Sequence, residues 1–496
     1  MKQNATTVAA IDLGATSGRV TTVTLDGNRL TLKEICRFET PTVRIGERMY
    51  TDTLHLYENI VQGLRQARQE AGALSGAGID TWGVDFALLD EGGEMAGPTY
   101  FYRDTQTNGM MEKAAGILGE RRLFRLTGVQ DMWYNTAYQL MGIQSRKPEY
   151  LQRDMEFLTL SDLLCYLLTG QKSLEYTIAS TTQMYSLADK AWSEEIIKAL
   201  GFEHLHFPPV IGNGEVKGYV KEGLHVQPEP LPVIAVPQHD TASAACAVPS
   251  EEENYIFISS GTWSVLGQVQ ERPVINDAVY EAGFSNEGAA FGKVKMVKNI
   301  MGMWLIEELR REWKQRGKET SYAWLQEQAE QSKPFAHMLD VDDPSFVAPE
   351  SMEKAICAYC KRTGQQIPES QGEFYRAVLE SLAMQYRMAV EELDDLTGQH
   401  VNSLYLLGGA VQNSMFCRFA ANATGLKVYA GPVESAALGN GIVQLMSLGK
   451  ISGRQQAAEL IKISYEPDVY EPQDVQCWDS EYEKYKNLIG KTPQNA

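Results

Sequence analysis

The chain has 496 residues, 44% of them hydrophobic and 22% charged, with a formal net charge of −19. That length exceeds what one hydrophobic core organises and points to two domains or slightly more. The acidic balance repels a nucleic-acid backbone, so no nucleic-acid partner is expected. No apolar run approaches the roughly 18 residues needed to span a bilayer, and the opening MKQNATTVAAID has no basic start followed by a long apolar segment. No membrane partner and a cytoplasmic location are therefore expected.

In chain order, VAAIDLGATSGRV at 8–20 places two β-forming runs around a cluster of small polar residues and glycine, which reads as a tight hairpin. After a turn at Asp26-Gly27-Asn28, LTLKEICRFET reads as a third strand, TLHLYENIVQGLRQARQEAG as an amphipathic helix, and AGIDTWGVDFALLD as a strand. Helical stretches such as FLTLSDLLCYLLTG follow, and then a strand at LPVIAVPQ. Three strands, helix, strand is the order of a ribonuclease-H-like α/β unit. A second hairpin, YIFISSGTWSVLG at 255–267, opens a parallel series: a strand at GKVKMVKN, helices through MGMWLIEELRREWKQRG and FYRAVLESLAMQYRMAVEELDDLTG, then strand, helix, strand and helix from SLYLLGG onward. The expectation is a duplicated α/β fold with nucleotide in the cleft between its halves. The domain boundaries read as 1–243, 244–458 and a tail at 459–496, with the polar segment 318–370 as an insertion.

Gly14, Gly18 and Gly261 are expected to take positive φ and let the two hairpin backbones approach a phosphate, with Ser and Thr hydroxyls alongside. Asp240, in VPQHDTASAACAV, lies where a strand meets a helix of small residues; it reads either as an N-cap or as a general base at the carboxyl end of a strand. Gly83 interrupts a bulky strand and marks a bulge or a ligand's approach. Gly408 and Gly409 open a helix whose N–H groups suit adenosine or phosphate, and Asn299 reads equally as a helix cap or a sugar contact. The seven cysteines form no zinc pattern; Cys357 and Cys360 read as helical surface residues. Gly490-Lys491-Thr492 ends like a phosphate-binding loop but has Tyr485 in place of its first glycine, and Gly439-Asn440-Gly441 lacks the third glycine of a dinucleotide fingerprint.

DLGATSGR, IDTWGVDF, HDTASA, SSGTWS, KNIMGMWL and LLGGAVQN, in this order and spacing, resemble the FGGY family of carbohydrate kinases over roughly residues 6 to 450. HDTASA and TWGVDF are more specific than the glycine hairpins, which the wider actin, chaperone and sugar-kinase superfamily shares. The resemblance implies two such domains and transfer of the ATP γ-phosphoryl group to the 1-hydroxyl of L-rhamnulose. Another ketose or polyol (xylulose, fuculose, glycerol) and a non-enzymatic nucleotide switch are the alternatives. By motif, Asp240 resembles the family's general base; Gly83, His239, Asp240, Thr241 and Asn299 match sugar contacts; Ala15, Thr16, Ser17, Gly18, Arg19, Thr262 and Gly409 match nucleotide contacts. The resemblance also places Mg²⁺ at Asp12, through water. Glu307 stands where a glutamine is expected, and a carboxylate there repels phosphate unless it faces ribose or solvent.

Overall fold

The computed structural model describes residues 5–250, 252, 254–261, 263–347 and 349–490. Packing divides the chain into two compact units: Met1–Glu253 with Val269–Val297 and Ser435–Glu466, and Asn254–Gln268 with Lys298–Glu434 and Pro467–Ala496. This partition differs from a single cut near residue 243. The first unit takes back a hairpin and two late helices, because the helix Ser435–Ser447 buries its apolar side on that unit's sheet.

The first unit is built on a six-stranded sheet ordered Val216–Tyr219, Pro232–Ile234, Ala77–Thr81, Thr6–Leu13, Ser17–Asp26, Arg29–Glu39. The strand Thr6–Leu13 pairs antiparallel with Ser17–Asp26 and parallel with Ala77–Thr81, so it lies inside the sheet, and all of its residues are buried. Its side chains alternate between faces. Ala9, Ile11 and Leu13 pack with Leu56, Ile60 and Leu64 of the helix Thr53–Ala71, while Val8 and Ala10 pack with Leu438, Ile442 and Leu445 of Ser435–Ser447. Two covered faces explain why this strand reads as a continuous apolar run. Asp12 falls on the same face as Val8 and Ala10.

Several local readings change. The stretch 77–90 is two strands, Ala77–Thr81 and Phe86–Leu89, joined by a turn in which Val84, a β-branched residue, holds φ at 70°. Gly83 therefore lies in a connection and not in a strand. FLTLSDLLCYLLTG splits into a strand Met155–Thr159 and a helix Leu160–Thr169.

In the second unit, strands run in the order Trp263–Gln270, Ile256–Ser260, Ser403–Leu407, Lys427–Ala430, Asp468–Tyr470. The helix Gln371–Thr397 opens with a capping box of Ser370 and Glu373. Residues 318–370 supply helices Tyr322–Gln331 and Met352–Arg362; the latter carries Cys357, partly exposed, and Cys360, which is buried rather than on the surface. The tail is integral to the packing: Asp468–Tyr470 extends the sheet, and the helix Val475–Ile489 buries Trp478, Tyr482 and Tyr485. Lys491 and Thr492 of the loop-like GKT lie outside the described residues. Among the described residues no helix is long and apolar enough to cross a membrane.

Gly439 sets how closely Ser435–Ser447 meets the short helix Asp240–Cys246, since a Cβ at 439 would stand 1.8 Å from the Ser243 carbonyl oxygen. Gly439→Ala is expected to push these helices apart and cost about 1–3 kcal/mol or more. Thermal unfolding measures this; an unchanged melting temperature would contradict the packing.

Candidate active site

Three adjacent parallel strands each deliver an aspartate at or just beyond their carboxyl ends. Asp12 and Asp80 are register partners in Thr6–Leu13 and Ala77–Thr81. The chain leaving Pro232–Ile234 continues beside Thr81, whose N–H donates to the Gln238 carbonyl at 2.9 Å, and so reaches His239 and Asp240. Glu175 and Thr177 anchor this approach: the Gln238 N–H donates to Glu175 Oε2 at 3.0 Å and the His239 N–H to Thr177 Oγ1 at 3.2 Å.

Asp12 is buried, and its carboxyl is pushed up to about 6 by burial, partly opposed by Arg19 and reinforced by Asp240. The Arg19 guanidinium, across the hairpin, stands 3.5 Å from it. Asp80, fully buried, is raised further by burial and by Asp12; Asn440 donates to its Oδ2 at 2.6 Å, and its Oδ1 has no hydrogen-bond partner among the described residues. Asp240 is raised by burial, against His239, the Thr241 N–H and Lys295, which favour its charged form. About a third of its side chain is exposed, against a tenth for Asp12. It is the first residue of Asp240–Cys246, with His239 at the N-cap position, and its Oδ1 accepts from the Thr241 N–H at 2.6 Å. The N-cap reading of Asp240 is thereby corrected, because its backbone is already helical.

Two charged residues absent from the sequence reading complete this cluster. Glu287 and Lys295 face one another across the hairpin of Ser285–Gly288 and Val294–Met301 and form an ion pair beside His239, with Glu287 Oε2 3.1 Å and Lys295 Nζ 3.3 Å from Nδ1. The available signal was a lysine and a glutamate at inward positions of short strands that otherwise read as apolar or small. Asp80 lay inside IDTWGVDF without an assigned role, and Asn440 follows Gly439 within the helix that covers the sheet.

Around the first hairpin, Ala15 and Thr16 form the turn, closed by the Gly14 N–H on the Ser17 carbonyl at 3.0 Å, and Ser17, Gly18 and Arg19 begin the next strand. Neither Gly14, Gly18 nor Gly261 has positive φ. The expectation of left-handed glycines here is overturned, and Gly18 is small because Leu13 and Phe38 occupy the space a Cβ would need. At Gly83, the neighbour is Thr181, which accepts the Val84 N–H at 3.1 Å.

In the second unit, Gly302 and Gly408 bring backbone against the second hairpin: a Cβ on Gly302 would meet Trp263 and Gly261, and one on Gly408, where φ is 84°, would meet the Ser260 carbonyl. Thr262 lies outside the described residues. Gly409 begins a short 3₁₀ turn and has open space where a Cβ would sit, while the following helix Ser414–Thr424 is capped by Asn413. Asn299 lies within the strand Val294–Met301; the cap position of the next helix belongs to Met303, so the capping reading of Asn299 does not hold. Glu307 is paired with Arg310 at 3.0 Å and accepts from the Tyr322 hydroxyl, so its charge is compensated locally.

The FGGY family of carbohydrate kinases matches this chain twice, its N-terminal domain over residues 7–247 and its C-terminal domain over 256–448. The chain belongs to that family. It is 37% identical to a rhamnulokinase of Bacteroides thetaiotaomicron over 495 residues, 99% of this chain and 100% of that one. It is also 37% identical to a rhamnulokinase of Oceanobacillus iheyensis, covering 93% and 97% of the two chains. A xylulose kinase from Lactobacillus acidophilus shares the fold with a TM-score of 0.81 at 14% identity, over 98% of this chain and 99% of the other.

Because Asp12 binds its proton more tightly folded than unfolded, its contribution to stability falls as pH rises from its ordinary 3.8 toward 6. Asp12→Asn, always neutral, is expected to stabilise the ligand-free protein at pH 8 by about 1–3 kcal/mol, with the gain disappearing near pH 4. Melting temperatures across that range check the sign, and a variant less stable at pH 8 would contradict it.

Proposed function

We propose that this chain transfers the γ-phosphoryl group of ATP to the 1-hydroxyl of L-rhamnulose, giving L-rhamnulose 1-phosphate, with Asp240 as general base. The observation that carries the chemistry is a partly exposed aspartate at the carboxyl end of a parallel strand, its carboxyl raised by burial as a proton acceptor requires and opposed by His239, the Thr241 N–H and Lys295, which favour its charged form. Full-length similarity to rhamnulokinases supports the choice of sugar. The xylulose kinase likeness, at 14% identity, speaks for the fold alone.

Phosphoryl transfer through a loose transition state needs alignment and charge neutralisation more than covalent help. Asp240 takes the hydroxyl proton as the sugar oxygen bonds to phosphorus. His239, Thr241, Gly83 and Asn299 are assigned to sugar hydroxyls; Ala15, Thr16, Ser17, Gly18, Arg19, Thr262 and Gly409 are assigned to the nucleotide. The neighbouring Asp12 and Asp80, with Asp80 Oδ1 lacking a partner, fit a hydrated divalent cation, which takes one or two carboxylates and keeps several waters. Bound there, Mg²⁺ would supply charge neutralisation for the phosphates.

Asp240→Asn is expected to stay folded and to lose about 10²–10⁴ in kcat. Near-normal turnover in a folded variant would remove Asp240 from the role. Across a panel of sugars, L-rhamnulose is expected to give the highest kcat/KM; a sugar with one recognised hydroxyl missing or inverted is expected to lose up to about 10⁴-fold, because the groups that bind it would be left unpaired. A higher value for D-xylulose or glycerol would refute the substrate while leaving the kinase chemistry intact.

A further inference from the structure

The charged groups around Asp240 form a chain graded in depth. Lys295 is fully buried, Glu287 and His239 keep 12% and 14% of their side chains exposed, and Asp240 keeps 32%. Three polar atoms crowd one ring nitrogen of His239: Glu287 Oε2 at 3.1 Å, Thr241 Oγ1 at 3.2 Å and Lys295 Nζ at 3.3 Å from Nδ1. The other nitrogen, Nε2, lies 3.4 Å from Thr241 Oγ1 and 3.5 Å from Asp240 Oδ1.

The ion pair limits where the ring proton can sit. If Nδ1 carries a proton, Glu287 accepts it, and Nε2 must carry another or else turn a lone pair toward the Asp240 carboxylate. If Nδ1 is bare, Lys295 donates to it and the single ring proton is on Nε2. The bare-Nδ1 ring and the doubly protonated ring both point an N–H at Asp240, whereas the remaining form sets a ring lone pair against the carboxylate. The Thr241 N–H, at 2.6 Å, points at the same oxygen, Oδ1. Two donors on one oxygen leave the other, Oδ2, as the stronger proton acceptor.

We propose that Glu287 and Lys295 are positioning residues: they fix the His239 ring with its Nε2–H on Asp240 Oδ1, so that Oδ2 is the atom that takes the sugar proton. This rests on the reading of Asp240 as the base. In the transfer, the O–H bond of the sugar breaks as its oxygen bonds to phosphorus, the proton passes to Oδ2, and the γ-phosphoryl group leaves ADP. Glu287 and Lys295 exchange no proton and touch no reacting atom. A 1 Å misplacement of a catalytic group costs on the order of 10²-fold in rate, so the ion pair matters through geometry.

The test is the double variant Glu287→Gln with Lys295→Met, which removes both charges together and avoids stranding one of them in the interior. Protein labelled with ¹⁵N-histidine reports the protonation of each His239 nitrogen, the resonances being assigned against His239→Gln. Expected in the unmodified protein is a protonated Nε2 at pH 8, and in the double variant a loss of that fixed state. Expected kinetics are a kcat for L-rhamnulose reduced roughly 10²-fold with KM for ATP unchanged and the melting transition still cooperative. An unprotonated His239 Nε2 in the unmodified protein overturns the proposal, as does a double variant that keeps the original histidine resonances or the original kcat. If the unmodified protein phosphorylates no L-rhamnulose, the substrate reading fails by that result alone, and the histidine resonances still decide whether the ion pair sets the ring.

Discussion

The first unit is organised by a conflict between burial and charge. Parallel strands buried on both faces need apolar residues, yet three of them, side by side, end in Asp12, Asp80 and the Asp240 segment. Burial raises all three carboxyls; Asp12 and Asp240 raise Asp80 further, Asp240 raises Asp12, and Glu287 raises Asp240. Much of the surrounding structure answers that conflict. Arg19 faces Asp12 from the next strand, Asn440 reaches Asp80 from the covering helix, and His239 with Lys295 offsets Asp240.

The covering helix Ser435–Ser447 joins this site to the packing. Its Gly439 and Gly441 allow contact closer than any side chain permits, against the Ser243 carbonyl and Val23. Asn440, between them, donates to Asp80 and to the Gly78 carbonyl, and Gln444 donates to the Ala9 carbonyl. Fewer than two turns of helix therefore supply both the tight packing and the polar contacts that buried strand ends require. The Gly-Asn-Gly string that is incomplete as a dinucleotide fingerprint has this structural use.

Charge compensation also accounts for Glu307. Taken alone, a carboxylate in place of the expected glutamine is unfavourable near phosphate, but Arg310 pairs with it and stacks on Tyr322, whose hydroxyl donates to the same carboxylate. The substitution is thus part of a local set of three residues. The buried pair of Glu287 and Lys295 follows the same logic beside His239: its charges are tolerated because they meet each other, and the pair lends the ring a fixed orientation.

Local pattern was enough to determine the alternating strands, the amphipathic helices, the two hairpins and the position of Asp240 after a strand, because periodicity and turn chemistry act over a few residues. The α/β class followed from their order. The motifs placed the chain in its family for the same reason: they are short and contiguous. Only the tertiary structure decided that residues 269–297 and 435–466 pack with the first unit, that Gly18 serves close packing and not positive φ, and that the segment after 459 completes a sheet and a helix layer. It alone brought Glu287, Lys295 and Asn440 to the aspartates, from positions 47 to 200 residues beyond Asp240 in the chain. Whether a buried charge is tolerated depends on the partner it meets, and those partners are neighbours in space that no local pattern specifies.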